Sequence, residues 1–454
     1  MICCCLVLLC SACSSSSGGT ATPTSSIPTP TATQTSVVTK QPSPTPIVTT
    51  APVPTTQTSC PPAGTARAAV MAPLALGNHS NIVFLATKNS SGSSITTTFN
   101  RYDVVTGTTT AILTLPNEVI RDPQISADGQ WILFVQSTIQ QDKLQMVRMD
   151  GQGLQTLYCG STLSDVIWSS DQHLVLFGGS TPPQGFNGIY LLNVQSGTVQ
   201  LEVQPSVTNL GSIGMFPLTW LDTTRALINY AQAAIVPFDS LGILDTRNGP
   251  NQPMKSIMPA YQDKTSAAFN YPCWDADSSF DASTLFVAQC GGISAPNCSG
   301  SCSLGTREGP SAIYTYTQPG TGSSQKTLFT SQTLGIAAVR AATSNLLLLQ
   351  VENFSQNHQV DTSQNGLWLV HSDGSGLTRL TTETGNSMTA LCQYSQTPWS
   401  NVSRDGSMYA YETVTNGGPS AFGLSYSSWD GSQRKAFASN AQGTALTVVG
   451  WTTM

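Results

Sequence analysis

The amino-acid sequence predicts an all-β fold, a β-propeller of four-stranded antiparallel blades, and three observations support this prediction. First, a phrase that is clearest at residues 125–134 recurs, with fainter copies that begin at Trp168, Trp220, Trp274, Val339, Val402 and Trp451. Second, the copies are spaced by roughly 45–65 residues, as in proteins built from repeated units. Third, a dense apolar run and an alternating hairpin follow the clear copies. Together these parts supply the four strands of a propeller blade.

The strands within each repeat follow from the pattern of apolar residues. Short continuous runs such as 131–135 and 346–351 suit strands that are covered on both faces. The alternating segments that come next, for example 188–199 and 367–380, are divided by Ser-Gly or Asp-Gly. These dipeptides supply the positive φ angles that tight hairpin turns need. Each repeat is therefore expected to form one antiparallel sheet.

The two ends of the repeat region are expected to share a blade. The last copy of the phrase, at 445–451, has no apolar run after it, whereas the run at 81–87 has no clear copy before it. Pairing of these N- and C-terminal strands would remove two exposed sheet edges and close a ring of seven blades. If 70–76 is instead the first inner strand, the number of blades differs.

The phrase and the hairpin resemble the WD-repeat-like blades of TolB-type propellers, whose inner strand ends in Trp-Ser-Pro-Asp-Gly. The matching pieces are 125–129, 149–151, 168–171, 372–374 and 402–406. The resemblance extends from about residue 70 to the end of the sequence and implies a fold rather than an activity. This chain lacks the Pro that usually precedes Asp. A Ser/Thr/Pro-rich stretch stands where TolB carries a partner-binding domain, so the resemblance does not imply a Tol-specific role.

The N-terminal residues predict export. Residues 1–13 are an apolar run that is shorter than the ~20 residues needed to span a bilayer. They end in Leu9-Cys10-Ser11-Ala12-Cys13, which resembles a bacterial lipobox and implies lipidation at Cys13. A plain secretory signal is the alternative. Residues 14–59 are expected to be a disordered Ser/Thr/Pro-rich stalk, and residues 60–454 the propeller. The chain would then be anchored by lipid to the outer face of the bacterial cytoplasmic membrane or the cell envelope.

The composition excludes one class of partner. Only 9% of residues are charged, against ~25% in a typical domain, and the net charge is −6. Nucleic-acid binding requires a basic face, and the sequence has no cluster of Lys or Arg. There is no G-x-S-x-G nucleophile motif, and the four histidines are scattered over different repeats. No cofactor is expected.

The cysteines are candidates for disulfides because an exported chain permits them. Seven lie beyond the leader, so at least one is free or pairs with another chain. Cys273 and Cys290 are nearly symmetric about a turn, and the predicted pairs are Cys273–Cys290 and Cys298–Cys302, with the connectivity left open. Zinc ligation by Cys298 and Cys302 is the competing interpretation, but no second pair of ligands follows at the expected spacing.

A calcium loop is a weaker possibility near residue 280. Asp275, Asp277 and Asp281, together with Ser279, place oxygen-bearing side chains at every second position, as calcium loops do. However, Phe280 stands where such loops need Gly, and no Glu closes the site. A solvated turn is the simpler interpretation, and no metal is assigned.

The candidate binding face is formed by long loops between the second and third strands of the repeats. The loops are 178–188, 231–241, 289–310, 353–366 and 413–423. Loops of this kind carry function while the sheets hold them in place. They contain the candidate binding residues Phe186, Phe238, Phe354, His358 and Phe422. The alternative is that each aromatic side chain only fixes its own loop.

Three functions remain open at this point. The favoured hypothesis is a non-catalytic binding or scaffolding module for a protein, peptide or glycan. The second is a propeller enzyme, a polysaccharide lyase or hydrolase, with a His or carboxylate cluster near the central channel. The third is a purely structural lipoprotein.

Overall fold

The structure is a computed structural model, and it describes the greater part of the chain beyond residue 55. The described residues are 56–67, 74, 77–89, 94–181, 186–204, 207–208, 211–232, 240–250, 252, 254–258, 270–294, 306–307, 311–317, 325–353, 362–383, 387–391, 397–415, 421–440 and 444–453. The leader with Cys13 and all but residues 56–59 of the predicted stalk lie outside them. No helix among the described residues is long and apolar enough to cross a membrane.

The strands of the first half follow the repeats. They are β1 (Ser80–Asn89), β2 (Ile95–Asp103), β3 (Thr109–Pro116), β4 (Val119–Ile125), β5 (Trp131–Ser137), β6 (Asp142–Arg148), β7 (Gln155–Gly160), β8 (Leu163–Trp168), β9 (Leu174–Thr181), β10 (Phe186–Asn193) and β11 (Val199–Val203). They continue with β12 (Val207–Thr208), β13 (Gly211–Trp220), β14 (Arg225–Gln232), β15 (Ser240–Asp245), one turn of 3-10 helix (Thr246–Asn248) and β16 (Lys255–Met258).

The second half repeats the same order of elements. Its strands are β17 (Asn270–Ser278), β18 (Thr284–Ser294), β19 (Thr306–Arg307), β20 (Ser311–Thr317), β21 (Gln325–Ser331), β22 (Ile336–Ala341), β23 (Leu346–Val351), β24 (Gly366–His371), β25 (Thr378–Arg379), β26 (Ser387–Ala390), β27 (Met408–Thr415), β28 (Ala421–Ser428), β29 (Lys435–Ser439) and β30 (Thr444–Thr453).

These strands pair into antiparallel sheets that match the repeats. Sheets of four are formed by β4–β7, β8–β11 and β22–β25, while β12–β16 and β17–β21 form sheets of five. The remaining sheet has eight strands in the order β26-β27-β28-β30-β1-β2-β3, with β29 beside β28. Within it the last strand, β30, lies against the first, β1, with Trp451 opposite Ile82. The all-β class and the four-stranded units are as the sequence predicts.

The core lies between the sheets, because the second strand of a repeat is buried on both faces. In β5, Leu133 contacts the apolar side chains of the sheet that contains β9, including Phe177. Its neighbour Ile132 points to the opposite face and packs with Val83 of β1. Both Leu133 and Ile132 are fully buried. Continuous apolar runs are therefore required wherever a sheet is sandwiched between two others.

The turn after the first strand explains the recurring Ser-x-Asp-Gly phrase. The Oγ atom of Ser126 accepts a hydrogen bond from the N–H of Trp131 at 2.9 Å, and Ser403 does the same for Met408 at 2.9 Å. The residue at the fourth position of the turn has a left-handed backbone, with φ of 76° at Gly129 and 70° at Gly406. Glycine is favoured there because it has no Cβ to clash.

The turn after β17 is of the same kind, although the sequence places it earlier. The strand does not end at Trp274 but continues to Ser278. The Oγ atom of Ser279 then accepts from the N–H of Thr284 at 3.0 Å, and Ala282 takes the left-handed position with φ of 56°. The repeated turn here is therefore 279–282, with Phe280 at its second position.

A disulfide fixes the first described residues to the sheet of β4–β7. Cys60 is bonded to Cys159 of β7, with their Cα atoms 5.8 Å apart. The N–H of Gln57 donates to the carbonyl of Leu154 at 2.8 Å, and the carbonyl of Gln57 accepts from Thr156 at 2.9 Å. The cysteine pairs expected from the sequence did not include this one. A disulfide is the kind of link that an exported chain can keep.

Candidate functional site

A cavity of about 330 Å³ lies where the first strands of four sheets end. We call it the turn cavity, because it is lined mainly by strand ends and by the turns that follow them. The residues that line it are Gln124, Ile167, Trp168, Ser170, Thr219, Trp220, Leu221, Asp222, Thr223, Ser278, Ser279, Phe280, Asp281, Ala282, Thr397, Pro398 and Trp399.

Two tryptophans at strand ends form a fixed part of the wall. Trp168 ends β8 and Trp220 ends β13, and they are 7% and 8% exposed. The N–H of the Trp220 indole donates to the carbonyl of Ile167 at 3.2 Å, and the backbone N–H of Trp168 donates to Oε1 of Gln124 at 3.0 Å. Each of these bonds joins one sheet to the next, so this wall is set before any ligand arrives.

Two further aromatic side chains complete the cavity. Phe280 is 51% exposed at the second position of its turn, where the corresponding turns carry Ala127, Ser170 and Arg404. Trp399 belongs to a turn that precedes β27, and its indole N–H donates to the carbonyl of Ile125 at 3.0 Å. The carbonyl of Trp399 accepts from the N–H of Trp451 at 2.9 Å. An exposed phenyl ring and an indole that is held in place therefore line the same cavity.

Two carboxylates line the cavity, those of Asp222 and Asp281, and Nε of Arg225 lies 2.7 Å from the first of them. Burial opposes ionisation of Asp222, but hydrogen bonds from Thr224 and Arg225 outweigh it and lower the pKa of the carboxyl. Hydrogen bonds from Ser279 and Ser283 lower the pKa of Asp281 to about 2. Both groups stay ionised at neutral pH, and neither is suited to donate a proton. Among the described residues that line the cavity, none is Lys, Arg or His.

The second strands of the sheets end, and the predicted long loops begin, at the end of the strands opposite the turn cavity. Phe238, Phe354 and His358 fall outside the described residues, and only the backbone of Phe186 is described, in β10. Phe422 is partly buried in β28 and lines a separate cavity of about 410 Å³ together with Glu383 and others. The binding role of these residues stays a prediction.

The three aspartates of the possible calcium loop have different partners. Asp275 accepts hydrogen bonds from the N–H of Val339 at 2.7 Å and from the guanidinium of Arg340. Asp277 accepts from the N–H of Ala341 at 2.9 Å, and burial raises its pKa to about 7. Asp281 is held within its own turn. Asp275 and Asp277 thus join β17 to β22. The described part of the chain contains no group of three or more His, Cys, Asp or Glu residues placed to hold a metal ion.

The predicted disulfides lie in or beside the same sheet. Cys273 of β17 and Cys290 of β18 are directly opposite each other in the strand register, which is the arrangement that their pairing needs. Cys298 and Cys302 fall outside the described residues. Both pairs stay predictions.

The sequence alone does not mark the aromatic side chains of the turn cavity as a site. Their signal was present, because Trp168 and Trp220 are the aromatic residues that open two copies of the phrase. Phe280 was noticed only as a departure from a calcium loop. Whether Phe280 lines a cavity depends on which position of the turn faces the neighbouring sheets. The sequence of a single repeat does not reveal that position.

The comparisons with known proteins give a fold. No family model matches the chain, and no curated protein matches it. Among solved structures, TolB from Acinetobacter baumannii is 14% identical over 68% of this chain and 64% of its own, with a TM-score of 0.39. The β-propeller domain of the Trilobed protease from Pyrococcus furiosus is 11% identical over 80% of this chain and 97% of its own, with a TM-score of 0.46.

A third similar structure is larger than the present chain. It comes from an analysis of two prolyl endopeptidases and is 8% identical over 81% of this chain and 50% of its own, with a TM-score of 0.50. The chain thus spans under two thirds of the TolB chain and half of the peptidase chain. The class that emerges is an all-β protein with the sheets of a propeller. This is the class of fold that the recurring phrase predicts.

Proposed function

We propose that this protein is an extracytoplasmic β-propeller that binds a ligand without catalysis, and that the turn cavity is its recognition site. The observation that carries the proposal is that the exposed ring of Phe280 lines one cavity together with Trp168, Trp220 and Trp399. Ligand sites are typically preformed concavities with apolar walls and a few polar groups. The lowered pKa values of Asp222 and Asp281 favour binding over acid–base chemistry here.

The proposed architecture is a closed ring of seven blades. The eight-stranded sheet divides into two units of four, β26–β29 and β30-β1-β2-β3, because β28 and β30 share a single registered pair, Ala421 with Leu446. The other five sheets supply one blade each. The extended pairing of β30 with β1 supports closure by the two ends of the chain.

The proposed location is the outer face of the cytoplasmic membrane or the cell envelope, with a lipid on Cys13 and residues 14–59 as a tether. The weakly charged composition and the Cys60–Cys159 disulfide are consistent with export. The test of this part is mass spectrometry of the N-terminal peptide from membrane fractions, with Cys13→Ala as the comparison. Release of that variant into the soluble fraction is expected.

The binding role is tested by capture from detergent-extracted cell envelope. Immobilised protein is compared with Phe280→Ser and with Val105→Ser, which removes an apolar residue that is 67% exposed in a turn away from the cavity. Envelope components retained by the wild type and by Val105→Ser should be lost from Phe280→Ser. If all three proteins retain the same components, the turn cavity is not the recognition site.

One observation favours a second candidate function, hydrolysis or elimination on a polysaccharide. Asp122 of β4 and Asp165 of β8 are both partly buried and both left-handed, with φ of 49° and 52°. Burial raises the pKa of Asp122 to about 6, and Asp165 adds to the effect. Neighbouring carboxyls with shifted pKa values are what acid–base catalysis needs. Release of reducing ends by the wild type but not by Asp122→Asn would favour this function over pure binding.

A further inference from the structure

We infer that the turn cavity binds one sugar ring of an uncharged glycan. This inference rests on the proposed binding function and names the class of ligand. The charge of the cavity, the nature of its walls and its shape support this inference.

The charge beside Phe280 disfavours anionic ligands. Arg225 lies 2.7 Å from the carboxylate of Asp222 and balances its charge, but the carboxylate of Asp281, which is ionised at neutral pH, takes its hydrogen bonds from the neutral hydroxyls of Ser279 and Ser283. The chain as a whole has a net charge of −6. A phosphate, a uronic acid or a nucleic acid would therefore be repelled.

The carboxylates alone would also admit a cationic ligand, but the ring of Trp399 already interacts with a cation of the protein itself. The guanidinium of Arg404 lies 4.6 Å from the centre of the Trp399 ring. A cationic ligand that approached the same ring would be repelled by the positive charge of Arg404. An ammonium ligand is therefore disfavoured. A neutral ligand remains.

The walls combine aromatic rings with hydroxyl groups. One face of a pyranose ring is a row of C–H groups with slight positive charge, and the face of an aromatic ring is negative. The exposed ring of Phe280 can therefore stack against a sugar. Ser170 and Thr223, in the corresponding turns of the neighbouring sheets, line the same cavity and bring hydroxyls that can donate or accept.

The shape of the cavity favours a ring over an extended peptide. Its walls are strand ends and turns from several sheets, and a peptide that binds as an added strand needs a sheet edge. A cavity of about 330 Å³ bounded in this way accepts a compact group from its open side. We therefore expect the end or a single residue of a glycan to enter, with the remaining sugars outside.

The experiment is a titration of purified protein with defined probes. Binding is monitored by tryptophan fluorescence and by calorimetry. The probes are an array of neutral oligosaccharides, polygalacturonate fragments as the anionic arm, choline as the cationic arm and a proline-rich peptide. At least one neutral oligosaccharide should bind saturably and change the tryptophan emission. Phe280→Ser should weaken that binding about five- to tenfold, in line with the loss of one aromatic contact. Phe280→Trp should retain it, and Val105→Ser should leave it unchanged.

The outcomes separate this inference from the proposed function. If no neutral oligosaccharide binds but the anion, choline or the peptide does, and Phe280→Ser abolishes that binding, the sugar inference is wrong and the binding site stands. If a neutral sugar binds equally well to wild type and Phe280→Ser, the inference is wrong about the cavity. Melting temperatures of all variants, which are expected to agree, exclude misfolding as the cause of a loss.

Discussion

The turns at 403–406 and 279–282 share one backbone but use their second residue in opposite ways. In the first, Arg404 donates hydrogen bonds to three carbonyls, those of Ser126, Ala127 and Trp451. In the second, Phe280 is half exposed at the rim of a cavity. The repeat thus sets the path of the chain and leaves this one position to serve either structure or the recognition proposed for Phe280.

Arg404 acts where three separate parts of the chain meet. Its turn precedes β27, Trp451 belongs to β30, and the carbonyls of Ser126 and Ala127 belong to the turn between β4 and β5. Burial lowers the pKa of Arg404 to about 10, which still leaves it charged at neutral pH. A partly buried charge of this kind is stabilising only while its hydrogen bonds are made.

The largest expected effect comes from removing this group. Arg404→Ala should lower the free energy of unfolding by about 3 kcal/mol, because three charge-assisted hydrogen bonds are lost and their carbonyls lose a donor. Phe280→Ala should change it by less than about 0.5 kcal/mol, as for an exposed residue without such bonds. Urea unfolding followed by tryptophan fluorescence measures both.

Arg404→Lys is the matched control for this prediction. Lysine keeps the charge but not the planar fork of donors, so it should recover only part of the lost stability. Equal losses for Arg404→Ala and Phe280→Ala would contradict the distinction between a structural and a recognition residue at this turn position.

A second effect concerns β30, the strand that Arg404 helps to hold. The N–H of Val448 in β30 donates to Oε1 of Glu412 in β27 at 2.8 Å, and burial raises the pKa of Glu412 to about 8. The folded state therefore keeps a proton that the unfolded state, with an ordinary pKa near 4.5, has lost. This stabilisation is complete at acidic pH and is lost as the pH rises towards 8.

The expected result is a domain that is less stable at pH 8 than at pH 5. Glu412 alone should account for about 1–3 kcal/mol of that difference, since one unit of pKa is worth about 1.4 kcal/mol. Glu412→Gln keeps the acceptor oxygen and removes the titration, so its stability should depend less on pH. The exposed Asp430, whose pKa hydrogen bonds from Ser428 and Ser432 lower to about 2, is the control. Asp430→Asn should leave the dependence unchanged, and a wild-type slope in Glu412→Gln would contradict the prediction.

Much of this fold could be predicted from the sequence, because its strands and turns depend on local patterns. The phrase locates the ends of β4, β8 and β13, and the pairing of β30 with β1 is as expected. The position of Trp399 could not be predicted in this way. Its indole N–H donates to the carbonyl of Ile125, which is 274 residues away in the sequence. The turn that contains Trp399 is not part of the repeated pattern. The Cys60–Cys159 link spans 99 residues and likewise depends on how the sheets meet.

The smallest expected effect on stability comes from exchanging Ala and Gly at the fourth position of the turns 279–282 and 403–406. It tests whether these two turns share one backbone conformation. A left-handed conformation costs a residue with a Cβ roughly 1–2 kcal/mol, and Ala282 stands at φ of 56° where Gly406 stands at 70°. Ala282→Gly should therefore stabilise the domain by about 0.5 kcal/mol, the relief of strain being partly offset by the greater freedom of glycine in the unfolded chain.

The exchange in the opposite direction completes this test. Gly406→Ala should destabilise the domain by about 1 kcal/mol, because the new Cβ is strained and would lie 3.2 Å from Cγ2 of Thr343. Thermal unfolding of the two variants and the wild type under one set of conditions measures both signs. If Ala282→Gly lowers the melting temperature, the backbones of the two turns respond differently to the same exchange. The different roles of Arg404 and Phe280 can then no longer be assigned to their side chains alone. If both signs are as expected, only the second side chain distinguishes the turn that joins sheets from the turn for which we propose ligand binding.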